Sequence, residues 1–198
     1  SVPKNDTLLL TTDFKIGRKN PVDFNLNLYH TLTQNKDYYI FGFSPSTIQI
    51  DSTRWAINPT NNLKSNRMIL NPKKKSFMIQ DLVLESEDQH LDISGVFYEK
   101  ENYNFDANFT NLNLDKIIPK AVLGKLEIEG IANGKVHVLR TKEKLEPILE
   151  TKVDGLALNK FLLGDLTLNG GYNVEDNIFN FDMSLLRENI ESVIARGD

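Results

Sequence analysis

A chain of 198 residues that is 40% hydrophobic and 25% charged holds enough apolar material for a real core and is not a disordered segment. Its net charge of −4 leaves no basic excess to neutralise phosphates, which argues against nucleic acid as a partner. The absence of cysteine removes disulfides, thiol nucleophiles and thiolate-held metals together, and fits a cytoplasm or a Gram-negative periplasm equally.

The chain opens at Ser1-Val2-Pro3-Lys4, with no initiator Met and no apolar leader. No window approaches the roughly 18 apolar residues of a membrane-spanning helix. The expectation is a piece of a larger protein whose membrane anchor lies outside it. Two-residue alternation then dominates. Phe24, Leu26 and Leu28 alternate with Asp23, Asn25 and Asn27, the pattern of a strand with one apolar and one wet face. Lys73-Lys74-Lys75 follows Asn71-Pro72 and reads as a charged turn; Glu85, Glu87 and Asp88 read as a solvated loop.

From Leu82 onward a unit recurs. Leu82/Leu84 precede Leu91-x-Ile93-x-Gly95, Leu112/Leu114 precede Leu126-x-Ile128-x-Gly130, and Leu156/Leu158 precede Leu166-x-Leu168-x-Gly170. Tyr38-x-Ile40-x-Gly42 and Val193-x-Ala195-x-Gly197 are weaker echoes. Gly95, Gly130 and Gly170 lie 35 and then 40 residues apart, a spacing that marks a repeat architecture. Each of these glycines is followed by more strand-like sequence, so each is expected to bend the sheet. Tyr103, Phe105, Ala107 and Phe109 form a further alternating stretch, and Asp115–Leu123 has room for one helical turn before Pro119 interferes. Asn133-Gly134 is the strongest hairpin signal in the chain, with further tips expected at Lys100-Glu101-Asn102 and Glu175-Asp176-Asn177. Ile178 to Leu185 alternates again, and Leu185–Ile194 suits a helix or, with the repeat echo behind it, a strand.

These elements predict an all-β, mainly antiparallel repeat sheet, elongated and curled into an open, taco-like groove with an apolar interior. A closed β-sandwich is the alternative. The chain forms a single β-repeat segment with approximate units 1–50, 51–95, 96–130, 131–170 and 171–198. Leu82, Leu84, Leu91, Ile93, Phe105, Leu112, Leu114, Leu126, Ile128, Leu156, Leu158, Leu166, Leu168 and Phe181 should share the apolar interior, with Glu127, Glu129, Asp165 and Thr167 facing water. His30, His90 and His137 are far apart without a second ligand at metal spacing, and no nucleophile, phosphate-loop or dinucleotide pattern occurs. No cofactor and no enzymatic activity are expected.

From Trp55-Ala-Ile57, through Phe77-Met-Ile79-x-Asp81-Leu-Val-Leu84 and Asp88-Gln-His-Leu-Asp-Ile-Ser-Gly95, to Asn111-Leu-Asn-Leu-Asp115, the order of features resembles the repeats of the TamB family. That family belongs to the AsmA-like superfamily, and the likeness is to its Bacteroidetes-like form, over roughly residues 50 to 198. The resemblance implies a periplasmic, inner-membrane-anchored protein of a Gram-negative bacterium, with its anchor outside this segment. It implies a greasy β-groove that carries phospholipid acyl chains between the inner and outer membranes, with no catalytic residues. It also implies a role in outer-membrane protein assembly or secretion beside an Omp85-type barrel. A scaffold that pairs its strand edges with client strands is therefore the alternative function.

Overall fold

The computed structural model describes residues 7–17, 22–32, 37–50, 52–99, 102–117, 126–142, 144–173, 176, 178–188 and 190–197. Alternating sequence becomes strand throughout. The strands are β1 (Thr7–Ile16), β2 (Val22–Leu32), β3 (Tyr39–Phe43), β4 (Ser46–Ile50), β5 (Thr53–Ile57), β6 (Arg67–Asn71), β7 (Ser76–Ser86), β8 (Gln89–Tyr98), β9 (Tyr103–Asn113), β10 (Ile128–Arg140), β11 (Leu145–Leu158), β12 (Phe161–Asn173), β13 (Ile178–Arg187) and β14 (Ile190–Gly197). One short helix, α1 (Leu114–Ile117), follows β9.

All fourteen strands belong to a single antiparallel sheet that is open and is not closed into a barrel. The strand order, with β5 and β4 between β7 and β2 and with β3 and β6 beyond, follows a simple path. β3 and β4 both pair with the same edge of β2, end to end, through Leu28–Leu32 and Val22–Asn25. β5 and β6 likewise lie end to end against β7. Taken as two interrupted strands, they make the chain an up-and-down meander in which every row neighbours the next in sequence. Such a path involves only short-range connections.

The interruptions are held by side chains. At the first, Ser44 N–H donates to Asn27 O (2.8 Å), and Asn27 N–H donates to Ser46 Oγ (2.9 Å). At the second, the chain leaves the sheet between the fully buried Asn58 and Asn66. Asn58 donates from Nδ2 to Phe43 O (2.6 Å), while Asn66 Oδ1 accepts from Val83 N–H (2.8 Å). These amides replace the ladder bonds that the excursion removes, as buried backbone groups require. The loop rests on the polar face, where Tyr29 donates its hydroxyl to Leu63 O (3.0 Å).

A second device recurs once per repeat. Asp81, Asn111 and Gly155 adopt left-handed φ values of 46, 52 and 63°, and each coincides with a one-residue register shift in β7, β9 or β11. Asp, Asn and Gly tolerate that region best. In each bulge the backbone N–H is caught by a side chain of the following strand: Asp81 by Ser94 Oγ (3.2 Å), Asn111 by Asn133 Oδ1 (2.8 Å) and Gly155 by Asp165 Oδ1 (2.8 Å). Each bulge residue stands directly before the first leucine of a repeat, Leu82, Leu112 or Leu156. The extra residue reverses the alternation. In β9, odd-numbered Phe105, Ala107 and Phe109 share a face with even-numbered Leu112 only because Asn111 intervenes.

Asn133-Gly134 corrects the sequence reading. It lies inside β10 and makes no hairpin. Asn133 anchors the Asn111 bulge, and Gly134 lets β11 approach, since a Cβ there would stand 2.2 Å from Glu150 O. The expected tips at Lys100–Asn102 and Glu175–Asn177 fall between strands, although Lys100, Glu101, Glu175 and Asn177 lie outside the described residues. The single turn expected from Asp115 is α1, one residue earlier, and residues 118–125 also lie outside the description. Of the stretch Leu185–Ile194, Leu185–Arg187 ends β13 and Ile190–Ile194 opens β14. Gly130 sits at a register shift and Gly95 opposite one, but the pairing around Gly170 is regular; there the missing Cβ leaves room for the Phe179 ring. Gly95, Gly130 and Gly170 all lie within strands, so the repeat unit as read from sequence begins and ends in mid-strand.

Candidate functional site

Directly opposed residues of an antiparallel sheet share a face. One such row runs Ile57–Leu84–Leu91–Phe109–Gly134–Thr151–Leu168–Met183 across eight strands. Beside it run Leu82–Ile93–Ala107–Val136–Leu149–Gly170–Phe181 and, further along, Ile79–Gly95–Phe105–Val138–Pro147. On the other side, beyond the bulges, lie Leu112–Ala132–Val153–Leu166–Leu185 and then Ile128–Leu158–Phe161. Leu156 stands opposite Gly164. Leu82, Leu84, Leu91, Ile93, Phe105, Leu112, Ile128, Leu156, Leu158, Leu166, Leu168 and Phe181 thus come together on one face. Two of the expected residues do not join this ladder. Leu114 belongs to α1, and Leu126 precedes β10 and is 41% exposed, close to the environment of its exposed neighbour Glu127. The helical turn after Asn113 takes Leu114 out of the strand alternation, and Leu126 lies before β10 begins.

The face is filled at one end and open at the other. Around β3–β7, Phe43, Trp55, Ile57 and Leu84 form a buried cluster, with Leu26, Leu28, Met68, Leu91 and Ile117 packed on it. Sequence reasoning overlooked this cluster, although Ile48-x-Ile50 and Thr53-x-Trp55-x-Ile57 on either side of Ser52 carry its alternation. The Trp55 indole N–H is buried there without an acceptor. From β8 to β13 burial thins: Ala132 and Val153 are covered, whereas Leu166, Leu168, Phe181 and Met183 are only partly so, and Phe161 is 62% exposed. Among the described residues no second sheet lies over this half.

The opposite face is polar. Glu129 and Asp165 are exposed, and Thr167 is half-buried. Lys135–Glu150 (2.9 Å) and Lys152–Asp154 (2.6 Å) are solvated ion pairs. The lysine turn is tied down by Lys73–Asp37 (2.5 Å) and Lys75–Glu99 (2.7 Å). His90 lies between Asp92 (2.9 Å) and Glu85 (3.2 Å). The hydrogen bond that the ring donates to Asp92 is the main cause that lifts the imidazole above its usual range, burial opposes it, and Glu85 adds to the rise. The folded state therefore holds the proton more tightly than the unfolded chain. The resulting stabilisation is complete below the unfolded value of about 6.5 and is lost as pH rises through the folded value. A series of thermal melts should show a gap between wild type and His90→Gln that is widest in mild acid and closes at alkaline pH. The gap stays small because the ring is 37% exposed.

No family model, characterised protein or solved structure matches the chain.

Proposed function

We propose that this sheet shields the acyl chains of phospholipids on its apolar face, as one segment of a periplasmic, TamB-like trough that conducts lipid between the inner and outer membranes. The observation that carries this reading is the apolar ladder from β5 to β13, interrupted by Thr151, which is filled at its start and, among the described residues, only partly covered at Leu166, Leu168, Phe181 and Met183. A partly exposed apolar face calls for an occupant. Hydrocarbon suits it chemically. Each CH₂ withdrawn from water contributes about 0.8 kcal/mol, and the lining offers no polar constellation that would select a headgroup or a hydrophilic ligand. The polar face stays in water and keeps the segment soluble. Native mass spectrometry of gently purified protein is expected to show co-purified phospholipid. Lipid-free protein that also fails to take up phospholipid from vesicles would refute the proposal.

A further inference from the structure

Among the described residues β1 is an edge strand whose protections are limited to the charged Asp13 and Lys15 at its C-terminal half. It pairs with β2 alone, in an uninterrupted register from Thr7 to Ile16, and carries no proline or bulge. Leu8, Leu9, Leu10, Phe14 and Ile16 are 67, 73, 54, 39 and 58% exposed. The direction of its free backbone groups follows from β2. Asn27 directs its N–H and C=O toward Ser46 and Ser44, so the odd residues of β2 serve the β3–β4 side and the even residues serve β1. Through the pairs Leu10↔Leu28, Thr12↔Leu26 and Phe14↔Phe24, the even residues of β1 spend their hydrogen bonds on β2. The backbone groups of Leu9, Thr11, Asp13 and Lys15 are left on the open edge.

We propose that this edge binds a second copy of the same chain, β1 against β1, antiparallel about a two-fold axis through Thr12. The apolar positions of the strand form a near-palindrome around that residue: Leu8, Leu10, Thr12, Phe14, Ile16. Centred there, Leu8 meets Ile16 and Leu10 meets Phe14 of the second copy, and Thr12 meets its own equivalent. Leu9 faces Lys15, and Thr11 faces Asp13, in the pairs that exchange backbone hydrogen bonds. The axis is normal to the sheet, so both apolar faces remain on one side and join into a single surface. The arrangement is isologous and closes at two copies. It does not depend on what the apolar face carries.

The chain lacks cysteine, so a single one reports cleanly. Opposed residues of a pair without mutual hydrogen bonds have Cα atoms about 4.5 Å apart, within disulfide reach. Thr12→Cys is therefore expected to form a disulfide-linked dimer on mild oxidation. Leu8→Cys is not, because the two copies of position 8 would stand roughly 26 Å apart along the strands. Sedimentation velocity of the uncrosslinked chain should show a monomer–dimer equilibrium. Leu9→Lys, placed opposite Lys15, should weaken it roughly fivefold and Leu9→Glu should tighten it by a similar factor; both change a side chain that points into solvent. A monomer at every concentration, equal crosslinking through positions 8 and 12, or the same response to Leu9→Lys and Leu9→Glu would overturn the proposal. Assemblies that grow past two copies without a Thr12 crosslink would also overturn it, and would point to β14 as the partner of this edge.

Discussion

Leu168→Arg is expected to leave the protein folded and, on the proposed acyl-chain reading, to abolish the binding of phospholipid. Leu168 lies in mid-face, opposed by Thr151 and Met183 and only partly covered. An arginine there can lay its methylene stem along the neighbouring side chains and carry its guanidinium out to water, so no charge is trapped. The thermal midpoint should therefore stay close to that of the wild type. Hydrocarbon on the same strip would have to pass a charge, and phospholipid photo-crosslinks along β10–β13 should disappear. Ile128→Arg, in the last row of the face, tests the same point from a second strand. If Leu168→Arg unfolds the domain, the face is a packed interior. If the variant stays folded with its crosslinks intact, this segment does not conduct lipid.

The same chemistry applied to the filled end gives the opposite outcome. Leu84 is 9% exposed within the cluster of Phe43, Trp55 and Ile57, and Leu84→Arg would bury a cation with no partner. Trp55→Ala removes a side chain with no exposed surface and leaves a cavity, at an expected cost of about 3–5 kcal/mol. That is a large share of the 5–15 kcal/mol that typically holds a domain together. Circular dichroism should show loss of the folded signal for Leu84→Arg and a sharply lowered denaturant midpoint for Trp55→Ala. Near-native stability of both would mean that the β3–β7 cluster is not the stabilising core of the sheet.

Much of this was legible because a strand with one wet face writes its burial into every second residue. Alternation alone assigned Leu91, Ile93, Phe105, Leu166 and Leu168 to one face and Glu129 and Asp165 to the other. What stayed hidden was whatever changes the phase of that alternation. Nothing local distinguishes Asp81, Asn111 or Gly155 from ordinary polar strand residues. Their left-handed backbone shows itself only through the partners Ser94, Asn133 and Asp165 on the next strand. Asn133-Gly134 misled for the same reason, since a pair suited to a tight turn suits the flank of a bulge equally well. Leu114 and Leu126 carry the repeat pattern, but the chain turns out of the sheet between β9 and β10. The end-to-end placement of β3 and β4 along β2, and of β5 and β6 along β7, depends on Asn58 and Asn66 reaching across the sheet, a long-range arrangement that no short window reveals.

The recurring bulge also makes length a free variable. Because the alternation is reset once in each of the hairpins β7–β8, β9–β10 and β11–β12, such a hairpin can be gained or lost without turning any other leucine to the wrong side. Each hairpin adds about 9.5 Å of apolar floor, two strand spacings. In a sheet built in this way, length is set by how many units are strung together, and the strength of any one unit does not enter.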